Sequence, residues 1–419
     1  MSNAATPADV LAAPLPLKRG AAIPNRLMKS AMSEVLSSVE HAPTEELTRL
    51  YGTWADGGVG LSVTGNVMID RTALGEPRNV VVEDDRDMPA LRAWAQAGTR
   101  HGGHLWMQIN HPGKQSPIFL SSQPVSPSAV PLGAGLERAF ATPRELNDDE
   151  ILDLIERFGT TAGIAKKAGF TGVQIHGAHG YLVSQFLSPH HNRRTDRWGG
   201  TLERRASFAL EVYASMRRAV GEDFPIGIKI NSADFQRGGF TEEESLEVVC
   251  ALVDAGMDLV EVSGGTYEAP AMTGAAGASK KESTIEREAY FLTFAETLRK
   301  RVDVPLALTG GFRTADGMAR AVSGGAVDLV GLARALALEP DLPRRVLAGE
   351  DVVSRVRRLS TGLKAVDKMG MLDVTYYENQ IARMGSGKPT APNMSPWRSV
   401  MTSVFTQGTQ VFQLRRARR

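Results

Sequence analysis

Residues 166–181, KKAGFTGVQIHGAHGY, contain the pattern that decides the fold. A segment with helical character ends at Gly169, and the short apolar run GVQIH follows at 172–176. Glycine is the usual residue just past the end of a helix, so this junction is predicted to be a loop between a helix and a strand. His176, His179 and Tyr181 lie at the end of the strand and in the loop that follows it. Two imidazoles and a phenol in that position indicate proton and carbonyl chemistry.

The same arrangement recurs along the chain, as in WADGG before VGLSVTG, TRHGG before HLWMQI, VDAG before MDLVEVSG and VSGG before AVDLVGL. Eight apolar runs alternate with helical segments: LMKSAM (27–32), GLSVTG (60–65), HLWMQI (104–109), GVQIH (172–176), PIGIKI (225–230), LVEVSG (259–264), PLALTG (305–310) and DLVGLA (328–333). Nearly continuous apolar strands indicate a parallel sheet covered by helices, and eight such units favour a closed (β/α)₈ TIM barrel. An open doubly wound sheet is disfavoured, because no G-x-G-x-x-G opens a helix after the first strand.

Several helix starts can be read from capping residues. Thr44 precedes two glutamates, and Thr241 with Glu244 and Asn147 with Glu150 have the spacing of a capping box. Each of these positions is therefore predicted to begin a helix on the outside of the barrel.

Composition excludes several classes of function. The 419 residues are 42% hydrophobic and 23% charged, which is typical of a soluble globular protein. The 48 basic and 47 acidic residues leave no charge excess that would indicate binding to nucleic acid or to a membrane. Cys250 is the only cysteine, which excludes intrachain disulfides and thiolate clusters. Because no long apolar run or secretory leader is present, we expect a cytoplasmic protein.

The chain is expected to divide into two parts. Residues 1–348 are predicted to form the barrel with an N-terminal arm, and residues 349–419 to form a C-terminal helical extension. The extension contains YYENQIARMGSGKP and SPWRSVMTSVF. We expect it to pack on the barrel or against a neighbouring subunit of a homo-oligomer.

In such barrels the active site lies at the C-terminal ends of the strands, where a phosphate often binds after strands seven and eight. Gly310 and Gly311 follow the seventh strand and would permit close backbone approach, while Arg334 follows the eighth and can pair with a phosphate. Gln108 and Lys229 end the third and fifth strands and would offer an amide and a cation to a polar ring. These residues predict a barrel that binds a phosphate and a polar ring, without naming the reaction.

The chain resembles the old yellow enzyme family of FMN-dependent ene-reductases, in its bacterial NADH:flavin oxidoreductase branch. The motifs that carry the resemblance are PNRLMKSAMS (24–33), MQINHPGK (107–114), IHGAHGYLVSQFLSPHHNRRTDRWGG (175–200), KINSADF (229–235), SGGTY (263–267) and LTGGFR (308–313). They extend over roughly residues 15 to 345, in order, with one motif at each strand end. The resemblance implies non-covalent FMN as cofactor, with NADH or NADPH as the reductant.

It also implies roles for individual residues. Ala31, Met32 and Gly65 would pack against the flavin, Ser33 would lie near its carbonyl and ring nitrogen, and Gln108 and Lys229 would bind the pyrimidine end. The phosphate would be held by Gly310, Gly311, Ala333 and Arg334. His176 and His179 would bind the carbonyl oxygen of an α,β-unsaturated carbonyl substrate, Tyr181 would protonate the α-carbon, and Tyr267 would line the substrate pocket.

Other interpretations remain open. A flavin-dependent NAD(P)H oxidase or dehydrogenase with another acceptor would use the same cofactor site, and a flavin-free phosphate-binding barrel enzyme is less favoured. His176 and His179 could also bind zinc, but no third ligand follows them in the sequence, so no metal is expected. The physiological substrate, the choice between NADH and NADPH, and the oligomeric state do not follow from the residues.

Overall fold

The computed structural model describes residues 5–133, 135–265, 268, 282–363, 367 and 371–402, without the side chains of 282–289 and 371. At its centre is a barrel of eight strands: β1 (Leu27–Lys29), β2 (Leu61–Met68), β3 (His104–Asn110), β4 (Gly172–Gly177), β5 (Ile226–Asn231), β6 (Leu259–Ser263), β7 (Leu306–Thr309) and β8 (Leu329–Leu332). Each strand pairs in parallel with its successor, and β1 pairs with both β2 and β8, which closes the barrel. The predicted (β/α)₈ TIM barrel is therefore confirmed.

Helices alternate with the strands on the outside: α1 (Glu45–Asp56), α2 (Met88–Gly98), α3 (Asp148–Ala168), α4 (Leu202–Val220), α5 (Glu242–Asp254), α6 (Glu282–Arg299), α7 (Ala315–Ser323) and α8 (Arg334–Leu338). Three of them begin where the capping residues predicted. The side chains of Thr44, Asn147 and Thr241 accept hydrogen bonds from the first turns of α1, α3 and α5, and the last two are complete capping boxes.

Shorter elements lie outside this alternation. They are the helices Pro7–Ala12 and Leu182–Leu187, the 3₁₀ turns Arg100–Gly102 and Gly113–Gln115, the strand Val80–Val81 beside β2, and the pair Val125–Ser126 and Arg144–Glu145. The helices α9 (Leu342–Leu347) and α10 (Met371–Gly385) lie after the barrel in the chain. None of the described helices is both long and apolar enough to cross a membrane.

The N-terminal end of the barrel is filled by apolar side chains. Trp106 of β3 is fully buried inside the barrel, where Gly172 and Gly227 on the neighbouring strands leave room for its indole. Leu15 and Ile23 of the N-terminal arm pack into the same apolar cluster, and their backbones pair in an antiparallel bridge. Among the described residues, this end of the barrel is thus filled by side chains, whereas the C-terminal ends of the strands line cavities.

The described part of the C-terminal extension lies against the barrel near those ends. Arg49 of α1 donates to the carbonyl of Gly385 at the end of α10, and Thr390 donates to the carbonyl of Leu338 in α8, at 2.7 Å. These contacts connect α10 to the first helix of the barrel, and the segment after α10 to the last one.

Candidate active site

Two adjoining cavities, of about 300 Å³ and about 210 Å³, lie at the C-terminal ends of the strands. Both are lined by Ala31 after β1, His179 after β4, Lys229 of β5, and Ala333 and Arg334 at the start of α8. The larger cavity is lined by eleven of the predicted site residues: Ala31, Met32, Ser33, Gly65, Gln108, His176, His179, Tyr181, Lys229, Ala333 and Arg334. Gly310 and Gly311 line the smaller one. Tyr267, predicted for the substrate pocket, lies outside the described residues.

The three aromatic rings that follow β4 form one cluster. The ring centroids of His176 and His179 are 5.2 Å apart, and those of His176 and Tyr181 are 4.8 Å apart, both in edge-to-face geometry. The backbone N–H of Ala178 donates to Nδ1 of His176 at 3.3 Å, so the proton of this ring lies on Nε2. Tyr181 is 5% exposed, and its hydroxyl accepts a hydrogen bond from Asn66 at 3.4 Å.

Both imidazoles are neutral at ordinary pH. Burial lowers the pKa of His176 well below its usual value, and the proximity of His179 and Lys229 lowers it further. Burial, with a smaller effect of Lys229, lowers the pKa of His179 to about 3. Two neutral imidazoles can donate hydrogen bonds to a carbonyl oxygen without transferring their protons to it.

His179 is held in place by three residues that were not predicted as site residues. Its backbone is in the left-handed region, with φ of 61°, which is uncommon outside glycine. Asn231 accepts from the His179 N–H at 3.1 Å, and Gln115 donates to its carbonyl at 3.0 Å. The hydroxyl of Ser263 lies 2.7 Å from Nε2. These contacts fix the orientation of the imidazole, which a hydrogen-bond donor to a substrate requires.

A chain of buried polar groups joins Gln108 to Lys229 across the barrel interior. Gln108 donates to Gln174 at 2.7 Å, and Gln174 donates to Glu261 at 2.8 Å. Glu261 accepts from Thr309 at 2.6 Å and pairs with the ammonium group of Lys229 at 3.0 Å. Because the Gln108 N–H₂ group donates inward, its carbonyl oxygen is oriented as the acceptor toward the cavity. Gln174 and Glu261 lie in the middle of apolar strands, and nothing in the sequence pattern distinguished them.

A hydrogen bond to Glu34 connects the loop after β1 to Gly65 of β2. The N–H of Gly65 donates to Glu34 at 2.7 Å, and a Cβ at this position would collide with Glu34 and with the Met32 carbonyl. Only glycine therefore fits at position 65. The hydroxyl of Ser33, expected near the flavin carbonyl, donates to the carboxylate of Glu76. With its proton engaged in this way, Ser33 presents an oxygen lone pair rather than an O–H to its other neighbours.

The smaller cavity has the features of a phosphate site. Gly310 and Gly311 have φ of 132° and 74°, conformations that side chains disfavour and that leave their backbone exposed to a ligand. Arg334 lines both cavities, and its guanidinium lies 3.3 Å from a carboxylate oxygen of Asp373 on α10. That single contact leaves other N–H groups of the arginine for an anion.

This donor set fits FMN. The two cavities share Lys229 and Arg334, so they form a continuous space with an amide and a cation at one end and glycine backbone with an arginine at the other. These groups match the pyrimidine ring and the phosphate of the cofactor. In addition, Oδ1 of Asn66, on the cavity wall, is buried and has no hydrogen-bond partner among the described residues. An unsatisfied buried acceptor on the wall indicates a ligand-binding cavity.

Neither His176 nor His179 belongs to a group with metal-ligand spacing in the described part of the chain. Such a group is formed elsewhere by His190, His191 and Glu268, whose ligand atoms lie within 4.8 Å of one another. There the ammonium of Lys114 lies 2.8 Å from Nδ1 of His191, and Nε2 lies 3.5 Å from Glu268. Lys114 therefore occupies one of the ring nitrogens of this group.

Comparison with known proteins agrees with the fit of the site to a flavin. A sequence profile of the NADH:flavin oxidoreductase / NADH oxidase family matches residues 11–351. The chain is 38% identical to the NADH-dependent flavin oxidoreductase iliE of Hypocrea jecorina (strain QM6a), over 81% of this chain and 89% of that protein. It is 34% identical to the NADH oxidase of Thermoanaerobacter brockii, over 78% of this chain but only 49% of that enzyme. The chain thus spans about half the length of the second relative.

A solved structure of the same family has the same fold. The old yellow enzyme homologue of Zymomonas mobilis superimposes with a TM-score of 0.69 and 25% sequence identity, over 83% of this chain and 94% of that one.

Proposed function

The chain belongs to the NADH:flavin oxidoreductase / NADH oxidase family, that of old yellow enzyme, and we propose that it uses NADH or NADPH to reduce the activated C=C bond of α,β-unsaturated carbonyl compounds. The observation that carries this proposal is the cluster of His176, His179 and Tyr181 in the same cavity as Gln108 and Lys229. This cluster would supply a carbonyl-binding pair and a proton donor beside the residues that we propose bind the flavin.

The two histidines would bind the carbonyl oxygen of the substrate. Both are neutral, and His176 carries its proton on Nε2, so they can stabilise negative charge that develops on the oxygen. FMN, when bound, supplies the hydride that it has accepted from NADH or NADPH. Gln108 would accept from the pyrimidine ring, and Lys229 would stabilise its negative charge.

Tyr181 would deliver a proton to the α-carbon of the substrate. Its ring packs against His176, and its low exposure separates the hydroxyl from bulk water. A phenol has an ordinary pKa near 10, which suits the protonation of an enolate formed beside it. Asn66 positions the phenol oxygen through its hydrogen bond.

The test separates the two half-reactions in anaerobic stopped-flow measurements. We expect NADH or NADPH to bleach the flavin, and 2-cyclohexen-1-one to restore its colour. Replacing Tyr181 with Phe should slow the second step about 100-fold or more and leave the first within about threefold, because only the second requires the proton. A reduced wild-type enzyme that reacts with oxygen but not with enones would reject the proposal in favour of an NAD(P)H oxidase.

A further inference from the structure

One wall of the larger cavity comes from α10, which lies beyond residues 11–351 that match the family profile. Its contributing residues follow a helical repeat, because positions three and four apart lie on the same face of an α-helix. They are Asp373, Val374, Tyr377, Glu378 and Ile381.

Contacts on the back of α10 hold this face toward the cavity. The hydroxyl of Tyr376 donates to the carbonyl of Pro392 at 2.6 Å, and the side chain of Gln380 accepts from the N–H of Ala391 at 2.7 Å. The segment that supplies these partners is itself bonded to α8 through Thr390. The helix is therefore fixed between the barrel and its own following segment, rather than lying loosely over the opening.

The part of this wall that faces the cavity includes apolar side chains. Val374 is 43% exposed. Tyr377 and Ile381, which lie one and two turns from Asp373 on the same face, are 6% and 1% exposed, and all three side chains line the cavity. The remaining ends of the cavity are polar: Gln108 and Lys229 on one side, the phosphate residues on the other. FMN has one apolar edge, its dimethylbenzene ring, and that edge needs an apolar partner.

The same helix face also reaches the phosphate end. Asp373, in the first turn of α10, pairs with Arg334 at 3.3 Å, and Tyr377 follows four residues later. The apolar residues of α10 thus lie beside Arg334, the residue expected to hold the phosphate.

We propose that Val374, Tyr377 and Ile381 of α10 form the flavin-binding wall that covers the apolar edge of the isoalloxazine ring. This inference rests on the FMN site described above. It makes the C-terminal extension part of the cofactor site, so that part of the affinity for the ring comes from outside the barrel.

The direct test is the affinity of flavin-free protein for FMN and for riboflavin, measured by quenching of flavin fluorescence. In Val374→Asp a charge faces the ring, whereas in Ala382→Asp the same residue type is placed on the same helix, facing a different groove. We expect Val374→Asp to raise the Kd for both flavins about tenfold or more, because the variant loses one apolar contact that the ring would bury. Ala382→Asp should leave both values within about threefold of wild type, which controls for helix stability.

A second pair of variants tests Tyr377. Tyr377→Phe retains the ring and should keep wild-type affinity, while Tyr377→Ala should weaken both flavins by about the same factor. Equal Kd values for Val374→Asp and Ala382→Asp would overturn the inference. The inference would also be overturned if Val374→Asp weakened the binding of FMN but not of riboflavin. Such an effect would concern the phosphate alone and would act through Arg334. Wild-type protein that binds neither flavin would instead refute the FMN assignment itself.

Discussion

The ammonium nitrogen of Lys229 lies 3.0 Å from a carboxylate oxygen of Glu261, and both side chains are almost fully buried. Glu261 also accepts from Gln174 and Thr309, so its charge is compensated inside the barrel. Removing one partner of such a pair lowers the stability of the fold strongly, because the remaining charge is left in a medium of low dielectric constant.

The first prediction follows from this pair. Lys229→Met should lower the free energy of unfolding of the flavin-free protein by about 3 kcal/mol or more, measured by urea denaturation. Lys229→Arg keeps the cation and should cost much less. The double variant Lys229→Met, Glu261→Gln should recover part of the loss. Equal stability of Lys229→Met and the wild type would show that Glu261 does not need this partner.

The second prediction concerns the phosphate. Arg334→Ala should weaken FMN binding by about 10- to 100-fold, because a charge-assisted hydrogen bond to the phosphate is lost. Riboflavin, which has no phosphate, is the matched ligand and should bind with nearly unchanged affinity. If both flavins lost affinity equally, Arg334 would be supporting the ring or the fold rather than the phosphate.

The third prediction uses the pKa of His179, lowered to about 3 by burial. In the unfolded chain the same imidazole has a pKa near 6.5, so between about pH 6 and pH 4 the unfolded state binds the extra proton. Stability should therefore fall as the pH is lowered through this range. In His179→Asn that fall should be shallower by about 1.4 kcal/mol per pH unit. Parallel stability curves for the two proteins would mean that His179 is not held neutral.

The fourth prediction concerns the carboxyl group of Glu378 on the cavity wall. Burial, with a smaller effect of the nearby Glu76, raises the pKa of Glu378 to about 8. Because the folded state holds this proton more tightly than the unfolded state, stability should be lost as the pH rises from about 5 to 8. Glu378→Gln should remove that loss and should be more stable than the wild type at pH 9 by at least about 1 kcal/mol. If Glu378→Gln lost as much stability as the wild type, or more, between about pH 5 and pH 8, this explanation would be excluded.

The fold and most of the site could be predicted because each is encoded locally. A glycine after a helix and an apolar run mark most junctions, and the barrel then brings the strand ends together. Gln108 and Lys229 could be recognised because they end strands.

The residues that were missed depend on the closed barrel or on distant contacts. Gln174 and Glu261 are single polar residues within apolar strands, and their partners lie on other strands, so their pairing exists only once the barrel closes. Val374 and Tyr377 belong to a helix expected to pack on the barrel, but nothing local indicated that it would line the cavity. Ser33 was expected to face the flavin, and its hydrogen bond to Glu76 required knowledge of the loop after β2.

The measurement that tests the central claim most directly is the visible absorption spectrum of the purified protein before and after addition of a simple phenol. We predict an FMN spectrum and a new long-wavelength charge-transfer band, from a phenolate held over the flavin by His176 and His179. His176→Ala should lose the band but keep the FMN spectrum. A colourless protein that also fails to take up added FMN would contradict the claim and return the barrel to phosphate-binding enzymes without a flavin.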